Sequence, residues 1–505
     1  MKRVRMSLGG AIAALTLFVG SHALAQNDTF IIGVGSEVQN LDPRLATDVA
    51  SAMRTSVMIE PLVAFNRSLG LEPRLATDWE LADDLLSLTF QLREDVTFHN
   101  GQPFTSADVR YTFETVLDED FGARNRALYS AIESIDTPDD HTVVFNLAAP
   151  NVFLINNLAR MPILPNDDSL NHEMHPIGTG PYKFVSQSRD NRLVMERFDD
   201  YWGGTGEIQT IEFRVMPENS TRLLSFEAGE IDATQSIIPA TELPRLEEDD
   251  RFIIERTAGT GYTYLAFNSN VEGLDNPTFR QALSYMVPRE AIVERVLNGN
   301  GFLGISMLLP SMQWFNPDVT IYDYNPERAA ELLAESGFDM DRTLRLTTSE
   351  DAARMQIAEI LAFEFGQLGV DVQVEIMEAA SFLTRIQQTD DYDLIISGWS
   401  GQLDPDRASI RQFHSDPAYG TANYANYSNP RVDELLLQGA ATDPTSQESI
   451  DIYQEVQQIV VDEAPMAFVY YVEEVALYHP WVEGWSIHPY SPNTFQNAHQ
   501  ISKNR

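Results

Sequence analysis

The 505-residue sequence contains no cysteine. It therefore has no disulfide, no thiolate nucleophile and no thiolate metal site, and no lipid-modified cysteine can follow an export signal. Lysine is nearly absent: beyond Lys2, only Lys183 and Lys503 occur. No Gly-Lys pair exists, which excludes a Walker A phosphate loop. Basic residues are scarce altogether, 34 Lys and Arg against 75 Asp and Glu, for a net charge of -41. A surface of that sign repels nucleic acid and anionic lipid, so neither is an expected partner. It reads as a solvated acidic coat. No apolar run approaches the ~20 residues that a membrane-spanning helix needs.

What is present is ordinary for a large globular chain. The hydrophobic fraction is 43%, enough for extensive cores, and the length implies two or three lobes. The N-terminus reads as an export signal. Lys2, Arg3 and Arg5 precede the short apolar stretch "GGAIAALTLFVG", and Ala23 and Ala25 stand at the small-residue positions of a cleavage site. Residues 1–25 are therefore expected to be removed, and the mature protein to be soluble, periplasmic and without a lipid anchor.

Helical and strand patterns interleave. "TFIIGVGS" (29–36) suggests a first strand, and "LSLTFQLR" (86–93) and "DDHTVVFNL" (139–147) alternate as half-buried strands do. "TSADVRYTFETVL" opens with a Thr/Ser start signal, and "NPTFRQALSYMV" and "NPERAAELLAESG" each begin after Asn-Pro, the second ending on Gly337. "ARMQIAEILAFEFGQLG" followed by "VDVQVEIM" forms a helix–strand unit, so the fold class is α/β. No low-complexity linker separates the lobes. They are expected to join through strands, one at "TGYTYLAFNSN" (260–270) and a return near 481–490.

No catalytic constellation emerges, and the chain is not expected to be an enzyme. "GWSGQ" fails as a nucleophile elbow because Gln402 replaces the final glycine. "HEMH" (172–175) lacks H-E-x-x-H spacing and precedes Pro176, so it reads as a solvated loop, and no metal or cofactor is expected. The stretch "SGWSGQLDPD" (397–406) stands apart. Its carboxylates Asp404 and Asp406 follow an apolar strand and a tryptophan, at the strand end where α/β proteins hold ligands.

Several segments, in order, resemble the peptide/nickel family of solute-binding proteins that serve ABC importers (extracellular solute-binding protein family 5). They include "LDPRLATD" (41–48), "IEPLVAFN" (59–66), "LEPRLATDWEL" (71–81) and the strongest block, "LTFQLREDVTFHNGQPFTSADVRYTFE" (88–114). "PIGTGPYKF" (176–184), "DDYWGG" (199–204), "AFNSN" (266–270), "FRQALSYMVPRE" (279–290), "YNPERAAELLAESGF" (324–338) and "YSNPRVDELL" (427–436) follow. The resemblance implies a bilobal periplasmic binding protein with an extra subdomain on lobe I. Lobe I would comprise 26–262 and 485–505, its subdomain about 70–170, and lobe II 263–484. It implies capture of a di- or oligopeptide by hinge closure and delivery to an inner-membrane ABC permease, by a monomer.

In peptide-binding members of that family, an aspartate three residues beyond the Trp of this loop pairs with the peptide ammonium. Here that position is Gln402, and Asp404 is the candidate replacement. Trp399 would wall the site or stack on the ligand. Arg354 resembles the family's carboxylate-binding arginine, whose fork suits a carboxylate. Glu37, Val38 and Gln39 would line lobe I's side, and Asn423 and Tyr424 lobe II's. Tyr262 and Tyr264, at the crossing, read as core. An oligosaccharide or opine-like conjugate is the alternative ligand, suited to Trp399 and Gln402. An exported hydrolase and a chaperone for unfolded chains are the readings from other classes.

Overall fold

The computed structural model describes residues 28–505 except 47, 190, 236, 237, 239, 240 and 402. The export-signal reading of residues 1–25, and Gln402, lie outside the described residues. The described residues form an 11-stranded mixed sheet, a separate four-stranded antiparallel sheet and flanking helices.

Two long antiparallel strands, Ile253–Phe267 and Met466–Tyr478, occupy the middle of the large sheet and join its halves. On one side lie Leu394–Trp399, Leu344–Ser349 and Val372–Met377. On the other lie Ala233–Thr234, Thr29–Val34, Thr210–Val215, Arg192–Arg197 and Tyr182–Ser188. The chain is thus bilobal, with one lobe on each half.

The pairing of the long strands is regular as far as Ala258↔Glu473 and resumes at Tyr262↔Tyr471. Between them Gly259, Thr260 and Gly261 stand opposite Val472 alone. A bulge of this kind bends a strand and breaks its ladder. The two glycines permit it: a Cβ on Gly261 would lie 2.8 Å from the Trp399 carbonyl, and one on Gly259 3.2 Å from Glu474 Cγ. The first connection between the halves is the aromatic strand Ile253–Phe267. The return runs through Met466–Tyr478, earlier than the expected 481–490. That segment holds only the two-residue strand Val482–Glu483, which pairs with Ser502–Lys503 at the chain's end.

Local signals explain the elements. Ser87–Leu92 and Thr142–Leu147 alternate in burial and pair with each other in the smaller sheet, which also contains Ala76–Leu81 and Ile132–Asp139. The helix Ser106–Leu117 starts at Thr105, whose N–H donates to Asp108 at 2.8 Å. Asn276 and Asn325 cap the helices Pro277–Tyr285 and Pro326–Ser336, and Gly337 ends the latter at φ +69°. The helix Ala352–Gln367 buries one face, Ile357, Ala358, Leu361 and Phe365, and connects two parallel strands.

The segments that carry the family resemblance meet as staples of the fold. Glu60, fully enclosed, accepts hydrogen bonds from Tyr201 Oη (2.8 Å), Trp202 Nε1 (2.8 Å) and Thr179 Oγ1 (3.0 Å). Gly178 and Gly180 let this loop lie on the backbone of Val57–Ile59, where a Cβ would collide with the Met58 and Val57 carbonyls. In the other lobe Arg280 donates to the carbonyls of Leu274 and Glu463, while the Glu463 carboxylate accepts from Tyr427 and Asn429.

Candidate functional site: the cleft between the lobes

The strand Leu394–Trp399 runs between Ile253–Phe267 and Leu344–Ser349, so its first residues are fully buried. It ends at Trp399. The chain then turns through Gly401, at φ +70°, into the helix Pro405–Phe413. Asp404 caps that helix, accepting from Arg407 N at 2.7 Å, with Pro405 in its first turn. The turn therefore projects from the second lobe toward the first.

Across from it, Arg160 follows the short helix Leu154–Leu158. Its guanidinium donates to the Gly401 carbonyl at 3.3 Å and to Tyr490 Oη at 3.4 Å, and lies 5.6 Å from the Tyr490 ring centroid. Phe153, in the same segment, meets Trp314 and Tyr453 edge-on, each at 6.2 Å. Arg160, Gly401 and Tyr490 border a cavity of about 510 Å³. The helix Val49–Thr55 supplies Val49, Ala52 and Thr55 to its wall. Ser400, Gly401 and Arg407 come from the second lobe, and Thr260, Gly261, Val472 and Glu474 from the connecting strands. A second cavity of about 410 Å³ shares Val49, Glu474 and Ser491 with the first, which lengthens the cleft.

The electrostatics at the turn are unusual for so acidic a chain. Burial raises the pKa of Asp404, offset by the Arg407 N–H and by the charges of Arg407 and Arg160. Asp406 is pushed up to about 8 by burial and by the charge of Asp404; its nearest hydrogen-bonding neighbour is Tyr453 Oη at 3.5 Å. The guanidinium of Arg407 is lowered by burial and then by Arg160 beside it. Glu474 is raised by burial, with Ser491 among the groups that oppose the shift.

The residues singled out from sequence fall at different distances from this cavity. Trp399 is half-buried just behind Ser400, with the Arg411 guanidinium 5.2 Å above its ring. Asp404 is buried beneath the turn. Arg354 lies over Gly398, where a Cβ would be 2.6 Å from its Nη2, and reaches Ser349 Oγ at 3.4 Å. Glu37 and Val38 border a crevice of about 10 Å³ beside Arg54 and Arg192. Gln39 donates its N–H to Ser51 Oγ, on the helix whose other face lines the cavity. Asn423 is occupied within its own loop, donating to His414 O and Tyr427 O and accepting from Tyr427 N. Tyr424 accepts at its carbonyl from Tyr392 Oη. Tyr262 and Tyr264 are buried core residues. Of the "HEMH" loop, His172 is buried rather than solvated and is lowered to about 4 by burial. Among the described residues no group of three His, Asp or Glu is arranged to hold a metal. Sequence reasoning missed Arg160, Arg407, Glu474 and Tyr490. Only Arg407 had a local signal, its place in the first turn after Asp404-Pro405.

The family model for bacterial extracellular solute-binding proteins, family 5 (middle part), matches residues 70–420. The chain is 26% identical to the oligopeptide-binding protein AppA of Bacillus subtilis, over 92% of this chain and 90% of that protein. It is also 26% identical to the dipeptide-binding protein of Escherichia coli, over 98% of both. The solved structure of HbpA2 from Haemophilus parasuis superposes with a TM-score of 0.87 at 24% identity, covering 94% of this chain and all of that one, a likeness of fold. With an α/β bilobal architecture and a family match over most of its length, this chain belongs to the bacterial extracellular solute-binding proteins of family 5.

Proposed function

We propose that the protein captures a di- or oligopeptide in the cleft between its lobes and delivers it, by hinge closure, to an ABC importer. The observation that carries this reading is the cavity of about 510 Å³ walled by both lobes and by the bulged connecting strands. A ligand that touches both lobes favours the closed state by the contacts available only there. The volume lies within the range of clefts that enclose small ligands, and the adjoining 410 Å³ gives room for a longer chain. The peptide-binding relatives support the class of cargo.

In this reading the lobes divide at the bulge, near 258–262 on one strand and 471–473 on the other. Ser400 and Gly401 form the second lobe's wall, Trp399 supports them, and Asp404 holds the turn in shape while biasing the arginines beside it. The protein works as an exported monomer, without cofactor and without turnover of its cargo. Ala52→Trp, which fills the cavity from the first lobe, tests the assignment. Binding of a di- to pentapeptide pool should fall at least ~100-fold with the melting temperature held. Undiminished binding would place the ligand elsewhere.

A further inference from the structure

We propose that the protein carries a second ligand site, outside the cargo cavity, for a neutral polyhydroxylated molecule of the size of a monosaccharide or cyclic polyol. The site is a cavity of about 360 Å³. It lies where the paired strands Val63–Phe65 and Leu71–Pro73 meet the C-terminal segment 484–501.

This cavity stands behind the cargo cavity. Ser491–Asn493 form a short turn between the two, and Asn493 is the one described residue that borders both. A molecule held here is therefore separate from the cargo, though it shares a wall with it.

The walls are polar, yet their charges are already paired. Arg67 donates to Ser486 Oγ and meets Glu255 at 2.6 Å, and Glu72 meets Arg74 at 2.6 Å. His488 is neutral by its bonding. One ring nitrogen donates to the Phe65 carbonyl at 3.0 Å, and the other accepts the Tyr490 N–H at 3.0 Å. A carboxylate or ammonium entering here finds no counter-charge left over, so the ligand that fits carries no charge.

What the walls leave unmet is hydrogen bonding. Trp485 is 5% exposed, and its indole N–H has no acceptor among the described residues. Gln496 Oε1 is buried without a donor among them. The amide nitrogen of Gln496 is also poorly served. Gln496 Nε2, Asn493 Nδ2 and His488 Nε2 all converge on the Phe65 carbonyl, at 3.0, 3.2 and 3.0 Å. A carbonyl oxygen has two lone pairs, so one of the two amides is free to turn into the cavity. An unmet indole donor, an unmet amide acceptor and a surplus amide donor call for a group that accepts and donates at once. A hydroxyl does both. Neighbouring hydroxyls on a ring present several such groups at fixed spacing, and the ring's C–H surface matches Ile487, Ala498 and Ile501 in the same wall. Each polar group left unmet in the interior is costly, and a bound polyol removes that cost.

The test titrates the intact protein by calorimetry with four probes: glucose, myo-inositol, gluconate and glucosamine. Glucose or myo-inositol should bind with a Kd of about 1 mM or tighter. Gluconate and glucosamine should bind at least about tenfold more weakly than the better neutral probe. Trp485→Phe keeps an aromatic ring and removes the N–H, and Gln496→Leu removes the amide. Each should weaken the better probe about tenfold or more with the melting temperature held. Gln496→Leu, nearer the surface, carries the test if Trp485→Phe does not fold. Ala52→Trp fills the cargo cavity and should leave this binding unchanged. Loss in Ala52→Trp would put the probe in the cargo cavity, and unchanged affinity in the wall variants would put it elsewhere. Either result overturns the site. So does equal binding of the charged probes, or binding of neither neutral probe, which leaves water as the occupant.

Discussion

Two buried carboxylate clusters behave in opposite ways. Glu60 accepts hydrogen bonds from a tyrosine, a tryptophan and a threonine, all drawn from segments that identify the family; burial raises its pKa, and these bonds and the charge of Arg74 oppose that shift. At the lobe boundary, Asp404 and Asp406 sit close together, with Asp406 pushed up to about 8 by burial and by the charge of Asp404, beside Arg407, whose Nη1 has no partner among the described residues. The first cluster is closed and fixes how the loops of one lobe meet. The second is open on the side of the cavity. A fully satisfied polar cluster rigidifies, whereas a partly satisfied one carries free energy that a ligand can recover.

The comparison can be broken from either side. The largest effect is expected at the closed cluster: Glu60→Ala strands two hydroxyls and an indole N–H in the interior and should cost about 3–5 kcal/mol. Urea unfolding would measure it, and a loss below 1 kcal/mol would mean that the cluster is less closed than its geometry implies. At the open cluster, Arg407→Gln should leave unfolding nearly unchanged while weakening peptide binding by about 2–3 kcal/mol, as read by titration calorimetry.

Asp406 gives a pH signature. Its folded pKa of about 8 lies far above the usual carboxyl value. Between roughly pH 4 and 8 the unfolded chain has released this proton and the folded one has not, so this group's contribution to stability falls as pH rises through that window. Asp406→Asn should therefore stabilise the protein by on the order of 1–3 kcal/mol at pH 8 and hardly at all at pH 4. Melting curves at the two pH values test this. The smallest effect is expected from Phe153→Ala, which removes edge-on contacts worth about 0.5–1.5 kcal/mol each between the lobes. Small-angle scattering should show a population shift toward a more open form.

The clusters also differ in how far they could be read from sequence. Alternation gave the strands Ser87–Leu92 and Thr142–Leu147, and Asn-Pro with a terminal glycine marked the helix Pro326–Ser336, because these depend on neighbours in the chain. The family segments pointed to the fold for the same reason, since they hold its loops together. The cleft was legible only in part. Asp404, the candidate ligand partner, is followed by Pro405 and caps the helix Pro405–Phe413, a role that the Asp-Pro pair signals locally. Arg160 and Tyr490 are 330 residues apart, and nothing in either neighbourhood announces the other. Asn423 is a polar residue near a family segment whose amide is engaged within its own loop, which its neighbours in sequence do not announce.

The most direct measurement is mass spectrometry of the molecule released when the purified protein is denatured. The account predicts short peptides, in amounts approaching one per chain and lost in Ala52→Trp. A sugar recovered in that amount and equally lost in Ala52→Trp would contradict it.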